Sequence, residues 1–169
     1  MPVLVVCKDI EYSIYWLALT NDFYSASYFN LRDLEFAKTI TESLQTLRRV
    51  KFAVWFEDGD PLGAVCDELE EISGRNKLEC IEIDVRVRYQ YKTHNEWHRL
   101  EEVLITSGWP ELKCVSITIT SERVYSGARG LRPPTPFELA LKNLEHTHFP
   151  RLRRSKHLDL KFLVKGTIY

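Results

Sequence analysis

The sequence has no C-x-x-C cysteine pair and no run of 18 consecutive apolar residues. Its four cysteines, Cys7, Cys66, Cys80 and Cys114, stand singly. The last three lie inside apolar periodic segments, where a free cysteine acts as a small hydrophobe. Buried, reduced thiols are therefore expected, with a cytoplasmic or nuclear location. Near the start, Val3-Leu4-Val5-Val6 is apolar, but Lys8, Asp9 and Glu11 follow too soon for a signal-peptide core. No membrane partner is expected. Excess charge of one sign is missing too: 23 basic against 24 acidic residues leave a net charge of −1. That balance gives no long-range attraction to nucleic acid. G-x-x-x-x-G-K-[ST], G-x-G-x-x-G and G-x-S-x-G are all absent. The expectation is a chain that is not an enzyme and takes no cofactor.

What the sequence does hold is a repeated pattern. Leu47-x-x-Val50-x-Phe52-x-Val54-x-Phe56 alternates strictly, as a strand with one buried face does. Leu78-x-x-Ile81-x-Ile83-x-Val85-x-Val87 repeats it, and so does Leu112-x-x-Val115-x-Ile117-x-Ile119. A helix fits between each pair. After the first, Asp60-Pro61 supplies an N-cap and a proline at the first helical position, and Leu62, Val65, Cys66, Leu69 and Ile72 make one apolar stripe. After the second, Thr93-x-x-Glu96 has capping-box spacing before the stripe Trp97, Leu100, Val103, Leu104. Ser73-Gly74 and Ser107-Gly108 end the two helices.

Residues 122–134 read as a surface loop. Thr135-Pro136-Phe137-Glu138 then opens a helix with the stripe Phe137, Leu141, Leu144. Phe149-Pro150-Arg151-Leu152 echoes Trp109-Pro110-Glu111-Leu112, and a last strand is expected over about 157–164 with Leu158, Leu160 and Phe162 inward. Earlier, Leu31-x-x-Leu34-x-Phe36 is a strand candidate and Thr39-x-x-Glu42 a helix start. Tyr12 to Leu19 and Val3 to Cys7 are further short strand candidates. Strand–helix units recurring at such intervals stack, since none can bury its apolar face alone. The expected fold is α/β: a leucine-rich-repeat-like curved parallel sheet with helices on its outer face. The chain, 1–169, is expected to be one domain, with residues 1–30 as an irregular cap and 31–165 as repeat units.

Three segments carry a family resemblance. They are Asp60 to Ile72, Ser107 to Ile117, and Thr147-His148-Phe149-Pro150-Arg151-Leu152. Together they resemble the C-terminal leucine-rich-repeat-like region of F-box-type proteins of mushroom-forming fungi. The resemblance implies a repeat surface that presents targets to a ubiquitin-ligase scaffold. Residues 1–46 show no F-box pattern, so a scaffold partner is implied only where an F-box is supplied elsewhere.

The polar clusters give weaker signals. His94 and His98 are four apart on a helix start, but the zinc-protease pattern needs a glutamate directly after the first histidine. A small metal-dependent hydrolase using His94 and His98 is the alternative of another class. His146, His148 and His157 lack a nearby fourth ligand, and helix-end histidines suit the negative end of the dipole. Asp67, Glu68, Glu70 and Glu71 read as a solvated helix face, and Arg151, Arg153, Arg154 and Lys156 as a basic cluster.

The outward strand positions are the main candidate. Aligning Val50, Ile81, Val115 and Leu158 puts Lys51, Glu82, Ser116 and Asp159 in one row. The next holds Ala53, Asp84, Thr118 and Lys161, and the third Trp55, Arg86, Thr120 and Leu163. Tryptophan and arginine are enriched at binding hot spots, although ordinary cross-strand pairing is the simpler account of such rows. The expected role is a non-catalytic protein-protein interaction module whose protein partner meets Lys51, Trp55, Asp84, Arg86, Thr118, Asp159 and Lys161.

Overall fold

A computed structural model describes residues 11–13, 44–56, 61–87, 96–123 and 135–168. The chain is an α/β protein built on a parallel sheet. Its strands are β1 (Glu11–Ser13), β2 (Arg49–Phe56), β3 (Cys80–Val87), β4 (Cys114–Arg123) and β5 (Asp159–Ile168), lying side by side in chain order. The helices are α1 (Pro61–Ile72), α2 (Glu96–Ile105), α3 (Pro136–His148) and the short α4 (Pro150–Arg154). Every pairing is parallel. Each connection therefore adds a strand on the same side of the last one, and a constant crossover hand then puts every helix on one face.

Burial follows that geometry. Val50, Phe52 and Val54 of β2, Ile81, Ile83, Val85 and Val87 of β3, and Val115, Ile117 and Ile119 of β4 are all buried. They meet the α1 stripe of Leu62, Val65, Cys66, Leu69 and Ile72 and the α2 stripe of Trp97, Leu100, Val103 and Leu104 in one core. Phe149 closes the far end, edge-on to Trp97 with ring centroids 5.9 Å apart. Strand alternation and helix stripe thus point at each other, and each element is amphipathic because only one face is covered.

The serine-glycine stops do more than end helices. Gly74 adopts φ 73° and its N–H donates to the Gly108 carbonyl at 2.8 Å. A Cβ on Gly108 would sit 1.6 Å from Ser73 Oγ, so only glycine lets the two turns touch. Buried Asn76 pins the same contact. Its Nδ2 donates to the carbonyls of Ile72 (3.0 Å) and Gly108 (3.2 Å), and its Oδ1 accepts from Leu78 N–H (3.1 Å).

Two expectations need correction. The last strand pairs two residues further along than expected: Val115 faces Leu160, not Leu158. The cause is α4, which takes up Arg151–Arg154 as a helical turn where the corresponding segment after Trp109 is only a tight turn. A shift of two keeps every side chain on its expected face. In addition, β4 runs on through Glu122 and Arg123, which the sequence reads as the start of the surface loop, because β5 continues beside it to Ile168. The outer neighbour of β2, Glu11–Ser13, overlaps the strand candidate at Tyr12 to Leu19. The expected strand at 31–36, the capping boxes at Thr39 and Thr93, the N-cap Asp60, Cys7 and residues 124–134 of the expected loop 122–134 lie outside the described residues.

Candidate binding face

The sheet face away from the helices carries the polar half of each alternating strand. Its first row, from β2 to β5, is Arg49, Cys80, Cys114 and Asp159; the second is Lys51, Glu82, Ser116 and Lys161. The third is Ala53, Asp84, Thr118 and Leu163, and the fourth Trp55, Arg86, Thr120 and Lys165. The two-residue shift in β5 moves Asp159 from beside Ser116 to beside Cys114. It also moves Lys161 from beside Thr118 to beside Ser116, and Leu163 from beside Thr120 to beside Thr118.

Charges on this face pair across strands. Lys51 Nζ reaches Asp84 at 2.7 Å, a diagonal step to the next row. Arg49 lies 3.9 Å from Glu82 across the strands, and Lys161 lies 3.7 Å from Asp159 within β5. Arg86 is exposed beside Thr120, and Thr118 is half-buried between Asp84 and Leu163. Trp55 holds its expected place opposite Arg86 in the backbone register, while its side chain lies outside the described residues. Among the described side chains of the face, Leu163 is a large apolar group left 48% exposed.

At the end where the strands begin, the face deepens into a groove of about 870 Å³. Backbone amides of Glu79, Lys113 and Asp159 donate to the carbonyls of Arg48, Glu79 and Lys113, so successive strands start at one level. Side chains tie the rim: Arg48 bonds Glu111 at 2.9 Å and Lys113 bonds Glu79 at 3.0 Å. Hydrogen bonding and charge from Lys113, with Arg48 adding to it, hold the Glu79 carboxyl below its usual value.

Cys80 and Cys114 line this groove as direct register partners, and both are half-buried free thiols. Of the three described cysteines, all expected to be buried, Cys66 alone is in the core. Burial and a hydrogen bond with Cys114 push the Cys80 thiol up to about 12. The signal was available in the sequence: each of the pair immediately precedes an inward residue, Ile81 or Val115, so alternation turns both outward.

The other clusters disperse. His98 is exposed and stacks on His148, ring centroids 4.4 Å apart, while His94 lies outside the described residues. Among the described residues, no group of three or more His, Cys, Asp and Glu could hold a metal ion. His146 and His148 sit in the last turn of α3, as expected. The acidic face of α1 is not simply solvated: Arg99 of α2 bonds Asp67 at 2.6 Å and Glu70 at 3.0 Å, and Glu68 is buried.

Comparison with family models, curated proteins and solved structures gives no match. Among the described residues no helix is long and apolar enough to cross a membrane.

Proposed function

We propose that this chain is a non-catalytic protein-interaction module, and that its uncovered sheet face receives the partner. The observation that supports this most is one-sidedness: the large apolar side chains described in β2, β3 and β4 face the helices, and the opposite face carries intermixed charges and hydroxyls with two thiols, Ala53 and the exposed Leu163. Mixed signs in close rows suit a protein surface of complementary pattern more than a polyanion. A leucine-rich-repeat-like arc belongs to the same proposal. Packed helices need about 8–10 Å each, whereas strands repeat at about 4.8 Å, so helices on one face favour a sheet that curves with its open face concave. The resemblance to fungal F-box-type repeat regions supports the same face and adds ubiquitin-ligase scaffold subunits as a class of partner to seek.

The test compares three tagged proteins by affinity purification from the native cells, with crosslinks mapped by mass spectrometry. They are the wild type, the open-face variant Asp84→Lys/Thr118→Trp, and a helix-side control, Glu102→Lys. Partners retained by the control, lost by a folded open-face variant and crosslinked to β2–β5 are the expected result. Identical partner sets for all three, or crosslinks confined to the helices, would overturn it.

A further inference from the structure

We propose that Cys80 and Cys114 form a two-thiolate site for a soft monovalent metal ion of the copper(I) class. The strands place the pair: Cys80 and Cys114 are direct partners in the β3–β4 register, on the open face, at the floor of a solvent-reached groove. Either a disulfide or a bridging ion could join two such sulfurs, and strand geometry separates the two. Neighbouring strands lie about 4.7–4.9 Å apart, and Cβ atoms that share a face and a register stand at about that spacing. A disulfide needs Cβ atoms about 3.5–4.5 Å apart, so closing it means drawing two hydrogen-bonded strands together. An ion seated between the sulfurs needs no such movement.

The number of donors selects the ion. Among the described residues no third His, Cys, Asp or Glu joins the two thiols as a ligand set. Zinc takes four ligands in a closed tetrahedral site and is poorly served here. Copper(I) prefers soft thiolates and is satisfied by two in line. Binding releases both thiol protons and leaves a complex carrying one negative charge. Four charged side chains flank the pair, Arg49 and Lys161 favouring that charge and Glu82 and Asp159 opposing it, so the two sulfurs rather than the surrounding charge hold the ion. This site stands independently of the protein-binding role proposed above.

The experiment is anaerobic titration of the reduced full chain with copper(I) held by a chromophoric chelator, at neutral pH. The wild type is expected to take one equivalent, with X-ray absorption showing two sulfur neighbours. Cys80→Ser and Cys114→Ser, each checked for fold by circular dichroism, should each weaken uptake at least tenfold. Cys66→Ser and Cys7→Ser should leave it unchanged, and zinc should not distinguish wild type from the Cys80 variant. No uptake by wild type, uptake unaffected by either groove variant, or dependence on Cys7 would overturn the proposal. So would ready closure of a Cys80–Cys114 disulfide in air-exposed protein, read by peptide mass.

Discussion

A single buried carboxylate shows how far a residue's role can lie from its sequence neighbourhood. Glu101 is 4% exposed on α2, and its Oε1 accepts from the amides of Arg151 (2.7 Å) and Leu152 (3.0 Å). Those are N-terminal amides of α4, whose own N-cap, Phe149, provides no side-chain bond. Glu101 therefore caps another helix fifty residues away. Removing the acceptor strands two donors in a dry site, each worth about 1–3 kcal/mol. Glu101→Ala is expected to lose about 2–3 kcal/mol in urea unfolding, and Glu101→Gln, which keeps a carbonyl oxygen, less than half of that. An alanine variant as stable as wild type would remove the capping role; a glutamine variant as weak as alanine would show that charge, not acceptance, matters. Nothing in the heptad around Glu101 announces this, because the acceptor's partners are set by tertiary packing. The outward cysteines are the opposite case: parity alone placed them, once read.

At the scale of elements, the periodic signals were reliable where the pattern was local. The capping box of α3 closes both ways: Thr135 Oγ1 accepts from Glu138 N–H at 3.2 Å, and Glu138 Oε2 from Thr135 N–H at 2.9 Å. Register of β5 was not legible, because it depends on whether five residues after Phe149 coil into a turn or a helix. The contact between α2 and the end of α3 carries a pH consequence. Burial, and then the charge of His98 stacked on it, hold His148 below its ordinary 6.5, with Glu101 opposing. Arg151 and Arg153 of α4, the latter against the His146 ring, are further charged groups near this end. A depressed histidine binds its proton more readily unfolded than folded. Its contribution is present above the unfolded value, about 6.5, and is lost as pH falls through the folded value. The Glu79 window, below 4.5, is separate. Thermal melting should thus fall between pH 7.5 and 5.5 in wild type, and His148→Gln should flatten that fall. An equal slope in both proteins would assign the dependence elsewhere.

Taken whole, the molecule keeps its stability on one side of its sheet. Alternation in the sequence showed which side, because apolar strand positions and helix stripes are two halves of one requirement: each must be covered by the other. It could not show what the second side is for, since polar outward residues satisfy solvent without any partner. Energetics separate the two faces sharply. Phe52 is buried against the helices, and Phe52→Ala removes an aromatic ring and leaves a cavity, at about 3–5 kcal/mol. One residue earlier on the same strand, Lys51 points outward and pairs with Asp84, with side chains 23% and 41% exposed. A surface pair of that kind couples by about 0.2–1 kcal/mol. A double-mutant cycle on Lys51→Ala and Asp84→Ala, run by urea unfolding beside Phe52→Ala, should return that contrast, and added salt should shrink the pair's coupling further. If the cycle gave several kcal/mol, the open face would be part of the scaffold and its charges held for folding. If it gives a few tenths, adjacent residues answer to different demands, and the charge pattern on the open face is not held by the needs of folding.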